Sequence, residues 1–534
     1  MYKHFGVMFD CSRNAVMNVD SIKRMIDYLS KMGYNTLMLY TEDTYEIKDE
    51  PYFGYLRARY SKDELKELDK YATSKNIELV PCIQTLAHLN ATLRWNRFYQ
   101  IRDYDDILLI DDERTYELIE KMFKTARECF SSKRINIGMD EAHMIGRGRY
   151  YDIHGNQDKN EIFIRHLSRV IEIAKKYDFS PMMWSDMFYR LATKGKYYEL
   201  NPKFDAKVKQ IVPKEVKLIY WDYYHQDKNV YDKMIECHKQ FDNEIGFAGG
   251  AATWYGFAPQ ISYAIKVTKP ALSSCNKYNL DEAFITCWKD NGGECSFFAA
   301  IPSLFYASEI AKGITKMSVI KQDFYEMFNV RFDDFIKFEL VNRPASYDPN
   351  RFYTVSKFML YNDPFLGIFD NTYHQGDELV YQNHYKTIKK LAKRLNEFDY
   401  LATYYSQLCK VLYYKYNLGV NTRKYYQTHE GFDSLIKQYD NAIKELAKFI
   451  EAFRNCWYKE NKPHGFDVQD IRLGGLLQRL KSCKERLIKY QNKEIDKIAE
   501  LEETIINSNG KDFDKDDVTT EFNNYRLTAS VNDI

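Results

Sequence analysis

The 534-residue chain sets 77 Lys and Arg against 76 Asp and Glu, a formal charge of +1. So balanced a surface lacks the basic footprint of a polyphosphate binder, and nucleic acid is excluded as an expected partner. Aromatic residues make up 16% of the chain, with only 12 Pro and 23 Gly, which excludes disorder and collagen-like repeats. The length predicts two or three domains.

In chain order, short and nearly continuous apolar runs predict strands buried on both faces at His4–Asp10, Asn35–Thr41, Ile77–Gln84, Arg134–Asp140, Pro181–Asp186, Lys217–Asp222, Glu244–Gly249 and Ala283–Trp288. Helical spacing separates them at Val19–Lys31, Lys62–Lys75, Glu113–Phe130, Asn160–Tyr177 and Asn229–Phe241. Ser61, with Glu64 at the third helical position, reads as a capped helix start. Eight such units over about 310 residues predict an α/β fold of the (β/α)8 TIM-barrel kind. An open doubly wound sheet alternates in the same way, but no Gly-rich phosphate loop follows any strand. Beyond Met317 the chain turns to Lys, Glu, Leu and Tyr at helical spacing, as in Ile388–Leu391–Leu395 and Leu480–Leu487–Tyr490. The expected organisation is a catalytic barrel over 1–316, an all-α domain over 317–508 and a polar tail over 509–534. Tyr404-Tyr405 to Tyr425-Tyr426 is expected to fill a helix–helix core.

The ten cysteines, from Cys11 to Cys483, are scattered singly with no CxxC, the pattern of reduced core thiols. The first residues enter a strand-like run directly instead of a charged and apolar leader. The most apolar stretch, Phe297 to Ala307, is about half a membrane span and is broken by Pro302. A cytoplasmic setting without membrane attachment is expected. The histidines are dispersed, with no HxH or HExxH, so neither a metal nor another cofactor is expected.

The runs end alike: Asp10, Tyr40-Thr41-Glu42-Asp43, Gln84, Asp140-Glu141, Trp184-Ser185-Asp186, Tyr220-Trp221-Asp222 and Trp288-Lys289-Asp290. Acids and tryptophans therefore gather at the carboxyl ends of the strands, where barrel active sites are built. Helix capping accounts for single acids, but caps need no neighbouring tryptophan. Asp140-Glu141 is the clearest candidate pair. Paired glycosidase carboxylates sit roughly 5–5.5 Å apart across the scissile bond. Neighbours in extended chain point to opposite sides instead. The expected division of labour has one carboxyl group protonating the leaving oxygen while its neighbour orients a group of the substrate.

Asn136-Ile-Gly-Met-Asp140-Glu141-Ala-His143 resembles the catalytic signature of family 20 glycoside hydrolases, the β-N-acetylhexosaminidases, and the resemblance extends over the barrel. Asp10-Cys-Ser-Arg13 resembles the segment whose arginine holds the terminal sugar's hydroxyls. Asp43 and His88 fall where the family has a supporting acid and histidine. Trp184, Trp221 and Trp288 resemble its aromatic walls, and Asp290 the acid that binds a distal hydroxyl. Trp254-Tyr255 resembles the pair whose tyrosine bonds the acetamido oxygen, a role for which Tyr220, Tyr223 and Tyr224 also compete. Family members commonly carry His-x-Gly where this chain has Asn136-Ile-Gly138. The long helical C-terminus resembles that of a bacterial subgroup without the N-terminal α/β domain.

The resemblance implies that Glu141 acts as general acid and then general base. It implies that Asp140 aims the 2-acetamido oxygen at the anomeric carbon, and that an oxazoline forms and is hydrolysed with net retention. The implied substrate is an oligosaccharide or glycoconjugate ending in β-linked GlcNAc or GalNAc, and a homodimer is one expected assembly. Two readings compete. In one, Asp222, Asp290 or Glu294 is an enzymic nucleophile beside Glu141; in the other, the barrel binds sugar without turnover.

Overall fold

Eight strands pair in chain order and close into a barrel: β1 (His4–Asp10), β2 (Thr36–Tyr40), β3 (Glu78–Cys82), β4 (Arg134–Asn136), β5 (Ser180–Trp184), β6 (Lys217–Trp221), β7 (Ile245–Gly250) and β8 (Glu282–Cys287), which returns to β1. This computed structural model describes residues 2–202, 204, 209, 212–290, 292–344 and 354–506. All barrel pairings are parallel. Val7, Leu37, Val80, Ile135, Met183, Ile219, Phe247 and Ile285 are each at most 2% exposed. A strand held between a filled barrel and a helical layer has no face turned to solvent, so its side chains are mostly apolar.

A helix follows every strand: α1 (Val19–Met32), α2 (Lys62–Ser74), α3 (Glu113–Cys129), α4 (Lys159–Lys176), α5 (Asp186–Ala192), α6 (Lys228–His238), α7 (Ile261–Lys277) and α8 (Ile301–Ala311). In α1, Ile22, Met25, Ile26, Leu29 and Met32 recur every three or four residues and are buried. Asn18 caps its start, accepting the Ser21 N–H at 2.8 Å, and Gly33 ends it at φ 93°. The capping box expected at Ser61 and Glu64 forms at the start of α2.

The amino ends of the strands are sealed by charge. Arg134 reaches Glu78 at 2.7 Å and Glu282 at 2.6 Å, while Lys217 reaches Glu282 at 2.9 Å. Glu282 is 1% exposed, so these bonds replace the water it has lost.

Several elements differ from the sequence expectation. β4 ends at Asn136, not at Asp140, because the chain turns into left-handed backbone at Gly138 and Met139. Asp186 opens α5 instead of ending β5. Helices α5, α7 and α8 were not expected: α5 is short, Pro270 interrupts the α7 pattern, and α8 is nearly buried all round. Pro302 is the second residue of α8, where a missing N–H leaves no intrahelical bond unmade, so it sits in a helix start instead of breaking one.

The chain forms two compact units. The first comprises residues 1–251, 264–288 and 303–316. The second comprises residues 252–263, 289–302 and everything from Met317, so the stretches that follow β7 and β8 in sequence group with the helical unit. Its long helices are Asp377–Leu391, Asp399–Lys415, Leu418–Thr428, Phe432–Glu460 and Phe466–Gln491. Tyr404 and Tyr405 are fully buried in its core, with the Tyr404 ring 4.9 Å from that of Phe453. The expected tail over 509–534 lies outside the described residues. Among the described residues, no helix is long and apolar enough to cross a membrane.

Candidate active site

Past Asn136 the chain stays bonded to both neighbouring strands: Ile137 N–H donates to Met182 O at 2.9 Å, Thr85 N–H to Ile137 O at 3.2 Å and Trp184 N–H to Gly138 O at 3.2 Å. It then turns sharply, with φ of 72° at Gly138, 70° at Met139 and 52° at Glu141. A Cβ at position 138 would overlap the Gln84 amide, so only glycine fits. Left-handed backbone at Met139 stores on the order of 1–3 kcal/mol, and the surrounding bonds hold it there. Gln84 accepts the Met139 N–H at 3.1 Å through Oε1. Its Nε2 donates to Asp140 Oδ1 at 2.7 Å and to the Tyr40 hydroxyl at 2.8 Å.

Asp140 Oδ2 lies 3.2 Å from His88 Nε2, and the same nitrogen is 3.8 Å from Glu141 Oε2. Burial raises Asp140, but the His88 charge and the His88 and Gln84 contacts outweigh it and hold the carboxyl below its ordinary value. Burial pulls His88 down, but the Asp140 charge prevails and raises it to about 9. Both shifts favour the carboxylate–imidazolium form of the pair.

Glu141 stands differently. Its side chain is 39% exposed against 12% for Asp140, so the two neighbours divide into an open and a buried acid. Its N–H donates to Asp186 Oδ2 at 3.1 Å, and its Oε1 accepts from Arg190 Nη2 at 3.1 Å. Arg190 Nε donates to the same Asp186 oxygen at 2.8 Å. Burial, and after it the nearby Asp140 charge, pushes Asp186 up to about 7.

Arg13 pairs with Asp10 at 3.2 Å and with Glu42 at 3.5 Å, not with Asp43. Its guanidinium carbon lies 5.2 Å from the Tyr40 ring centre and 5.1 Å from that of Trp288, within cation–π range. Asp43 is fully buried, ion-paired with Arg57 at 2.9 Å, and accepts the Thr92 hydroxyl at 3.3 Å. Trp184 and Trp288 have ring centres 5.9 Å apart. Trp288 Nε1 donates to the Tyr223 hydroxyl at 3.0 Å, and the Tyr223 ring stacks on Trp221 at 5.3 Å. The first unit therefore joins Arg13, His88, Asp140, Glu141, Trp184, Trp221 and Trp288 through short contacts that run by way of Tyr40, Gln84 and Tyr223.

Trp254, Tyr255 and Asp290 belong to the second unit. Trp254 is buried, its ring centre 6.0 Å from that of Tyr255, and the Tyr255 carbonyl accepts the Thr354 hydroxyl at 2.9 Å; Asp290 is exposed. Among the competing tyrosines, Tyr220 donates to Asp222 Oδ2 at 2.7 Å. That oxygen also contacts His225 Nδ1 at 2.8 Å, and Asp222 is 1% exposed, so it is tied up instead of open to a sugar. Glu294 is likewise bound, to Lys357 at 2.9 Å and Arg472 at 3.4 Å.

Sequence reading gave no role to Tyr40, Glu42, Gln84, Asp186 or Arg190. Four of them lie in the run-end clusters singled out beforehand, and Arg190 stands one helical turn after Asp186. All ten cysteines are buried, and none forms a disulfide. Among the described residues, no cluster of His, Cys, Asp and Glu is placed to hold a metal ion.

A parallel barrel with an open acid, a buried acid, an arginine and tryptophans at its carboxyl-end loops has the groups that glycoside hydrolysis uses. The glycosyl hydrolase family 20 catalytic domain matches residues 2–244, and the glycoside hydrolase 20C C-terminal domain matches residues 333–519. The chain belongs to glycoside hydrolase family 20. It is 24% identical to hexosaminidase D of Homo sapiens over 241 residues, 42% of this chain and 46% of that protein. It is 23% identical to hexosaminidase D of Bos taurus over 239 residues, 42% of this chain and 64% of that one. The chain thus spans less than two thirds of either relative's length. Among solved structures it is similar to Flavobacterium johnsoniae chitobiase, with TM-score 0.48 and 14% identity over 85% of this chain and 78% of that one.

Proposed function

We propose that the protein is an exo-acting β-N-acetylhexosaminidase that hydrolyses terminal β-linked GlcNAc or GalNAc with retention, using the substrate's own acetamido group as nucleophile. The observation that carries this reading is the split environment of two adjacent acids. Asp140 is buried and held as a carboxylate by His88 and Gln84, which suits it to accept the acetamido N–H and aim the carbonyl oxygen. Glu141 is the open neighbour, which suits it to meet the glycosidic oxygen. Asp222 and Glu294 are engaged by buried partners, which leaves the enzymic-nucleophile reading with less support. A well-oriented internal nucleophile is worth an effective molarity of about 10⁵–10⁸ M, enough to replace an enzymic one.

In this reading Glu141 is general acid and then general base, and Tyr255 donates to the developing oxazolinium oxygen. Arg13 forks onto two sugar hydroxyls while Asp10 and Glu42 hold it. Asp43 and His88 are supporting residues, since Asp43 is buried against Arg57 and His88 against Asp140. Trp184, Trp221, Trp254 and Trp288 wall the sugar, and Asp290 binds a distal hydroxyl. The substrate is a glycan or glycoconjugate with a terminal N-acetylhexosamine, the setting is cytoplasmic, and the assembly is a homodimer.

The test compares p-nitrophenyl β-GlcNAc with p-nitrophenyl β-glucoside. Release from the acetamido sugar alone is expected. Equal release from both would point to an enzymic nucleophile, and release from neither to a barrel that does not act on these sugars.

A further inference from the structure

The interactions of Glu141 are asymmetric, and the asymmetry concerns a residue with no part in the reading above. Arg190 Nη2 donates to Glu141 Oε1 at 3.1 Å. Its Nε donates at 2.8 Å to Asp186 Oδ2, which also accepts the Glu141 N–H at 3.1 Å. A third nitrogen, Nη1, donates to Gly195 O at 3.2 Å. One guanidinium thus spans the side chain of Glu141 and the acid that holds its backbone. Both Arg190 bonds to the acids come from the fork of a single rigid plane, which a lysine could not reproduce. Only 16% of the Arg190 side chain is exposed, so water weakens these bonds little.

An oxygen that accepts from a permanently protonated guanidinium cannot also turn a proton toward that donor. Oε1 is therefore the oxygen without the acid proton. Oε2 has His88 Nε2 at 3.8 Å, beyond hydrogen-bond range, while that nitrogen is closer to Asp140 at 3.2 Å.

We infer that Arg190, anchored by Asp186, is the positioning residue of the acid–base, fixing Oε2 of Glu141 as the oxygen that gives and takes the proton. The inference rests on the reading of Glu141 proposed above. In the first step the acetamido carbonyl oxygen bonds to the anomeric carbon as the bond from that carbon to the glycosidic oxygen cleaves, and the glycosidic oxygen takes the proton as the Oε2–H bond breaks. Arg190 then faces the new carboxylate. In the second step Oε2 removes a proton from the water whose oxygen bonds to the anomeric carbon as the oxazoline opens. Above about pH 7 the ionised Asp186 offsets the fixed charge of Arg190. The charged or titratable groups facing Glu141 are Arg190, Asp186, Asp140, His88 and His143. Burial and Arg190 lower His143.

The test uses the full chain and its Arg190→Met, Arg190→Lys and Asp186→Asn/Arg190→Met variants. Kinetics are measured across pH on p-nitrophenyl β-GlcNAc, whose leaving group needs little protonation, and on chitobiose, whose leaving group needs much. Arg190→Met is expected to lose at least about tenfold more kcat on chitobiose than on the aryl glycoside, within the range of general acid catalysis. The alkaline limb of its profile is expected to move, because a cation in contact with the acid–base is lost. Arg190→Lys keeps the charge and should restore the limb while recovering only part of the rate. The double variant removes the buried Asp186 charge with its partner and supplies a folded comparison should Arg190→Met not fold. Equal losses on both substrates with an unmoved profile, in whichever of the two folds, would overturn the inference. A wild-type chain that cleaves neither substrate would instead bring down the proposed function itself.

Discussion

Gln84 and Asp140 are joined by a bond whose direction is fixed from both ends. Gln84 Oε1 takes the Met139 N–H at 3.1 Å, so its amide must turn Nε2 to Asp140, 2.7 Å away. One side chain on the loop after β3 thereby sets the conformation of the turn after β4 and the orientation of the acid on it. The arrangement depends on residue 138 having no side chain, because a Cβ there would meet the Gln84 amide. Gly138→Ala is expected to lower stability by about 1–3 kcal/mol through its φ of 72° alone. It should cost more in activity than stability explains, since the Gln84 amide must move off Asp140. Urea midpoints measured beside kcat/KM decide this: a loss of stability with kcat intact would show that Asp140 keeps its place without Gln84.

The two acids should fail differently. Glu141→Gln removes the proton donor, and loss of general acid catalysis is worth about 10²–10⁴-fold. The loss should be largest on sugar leaving groups and smaller on p-nitrophenolate. Asp140→Asn leaves leaving-group protonation in place but loses the carboxylate that orients the acetamido group. It should therefore lose rate by about 10²-fold or more on every N-acetyl substrate alike. Full activity of Asp140→Asn on p-nitrophenyl β-GlcNAc would remove the acid from the mechanism.

Where strand and helix patterns were strong, the sequence was legible. β1 matches its expected bounds because seven consecutive residues alternate between the barrel interior and the helical layer and nearly all are buried. Asp140 and Glu141 lie past the carboxyl end of β4, as expected, but their backbone differs from the expectation. Asp140 and Glu141 follow a three-residue strand and a left-handed turn, and Met139 at φ 70° is a residue whose type gives no warning of that conformation. The premise of extended chain at Asp140-Glu141 is thus replaced, and what separates the two acids is burial and partners. Glu42 and Asp43 are adjacent acids that look alike in sequence, and only their partners tell them apart. The structure puts Glu42 against Arg13 and Asp43 against Arg57. Arg190 was invisible because α5 is only seven residues long and carries too few turns to show a period.

His88 and Asp140 should leave a signature in stability against pH. The folded-state pKa of His88 is raised from 6.5 to about 9, so its contribution is complete below 6.5 and is lost as pH rises through about 9. Asp140 is held below its ordinary 3.8, so its contribution is present above that value and is lost as pH falls through the lowered one. The pair therefore stabilises most fully between these limits. His88→Gln should lower the melting temperature near pH 6 and flatten its decline between about pH 7 and 9. A parallel decline in both proteins across that interval would show that His88 is not protonated in the folded state.

The charge cluster at the opposite end of the barrel should govern stability without touching chemistry. Glu282 is 1% exposed and receives Arg134 at 2.6 Å and Lys217 at 2.9 Å. Glu282→Ala leaves two cations facing each other at the strand amino ends. Arg134 retains Glu78, and Lys217 retains Glu244 and Asp281, whose side chains are far more exposed than that of Glu282. Removing one member of a buried ion pair costs about 3–5 kcal/mol, chiefly through the unpaired charge left behind. Catalytic residues of such barrels lie at the carboxyl ends of the strands, so the folded variant should keep its kcat and KM. A midpoint shift in urea with unchanged specific activity is the expected result. A kcat that falls while the midpoint holds would place the cluster in the catalytic machinery instead.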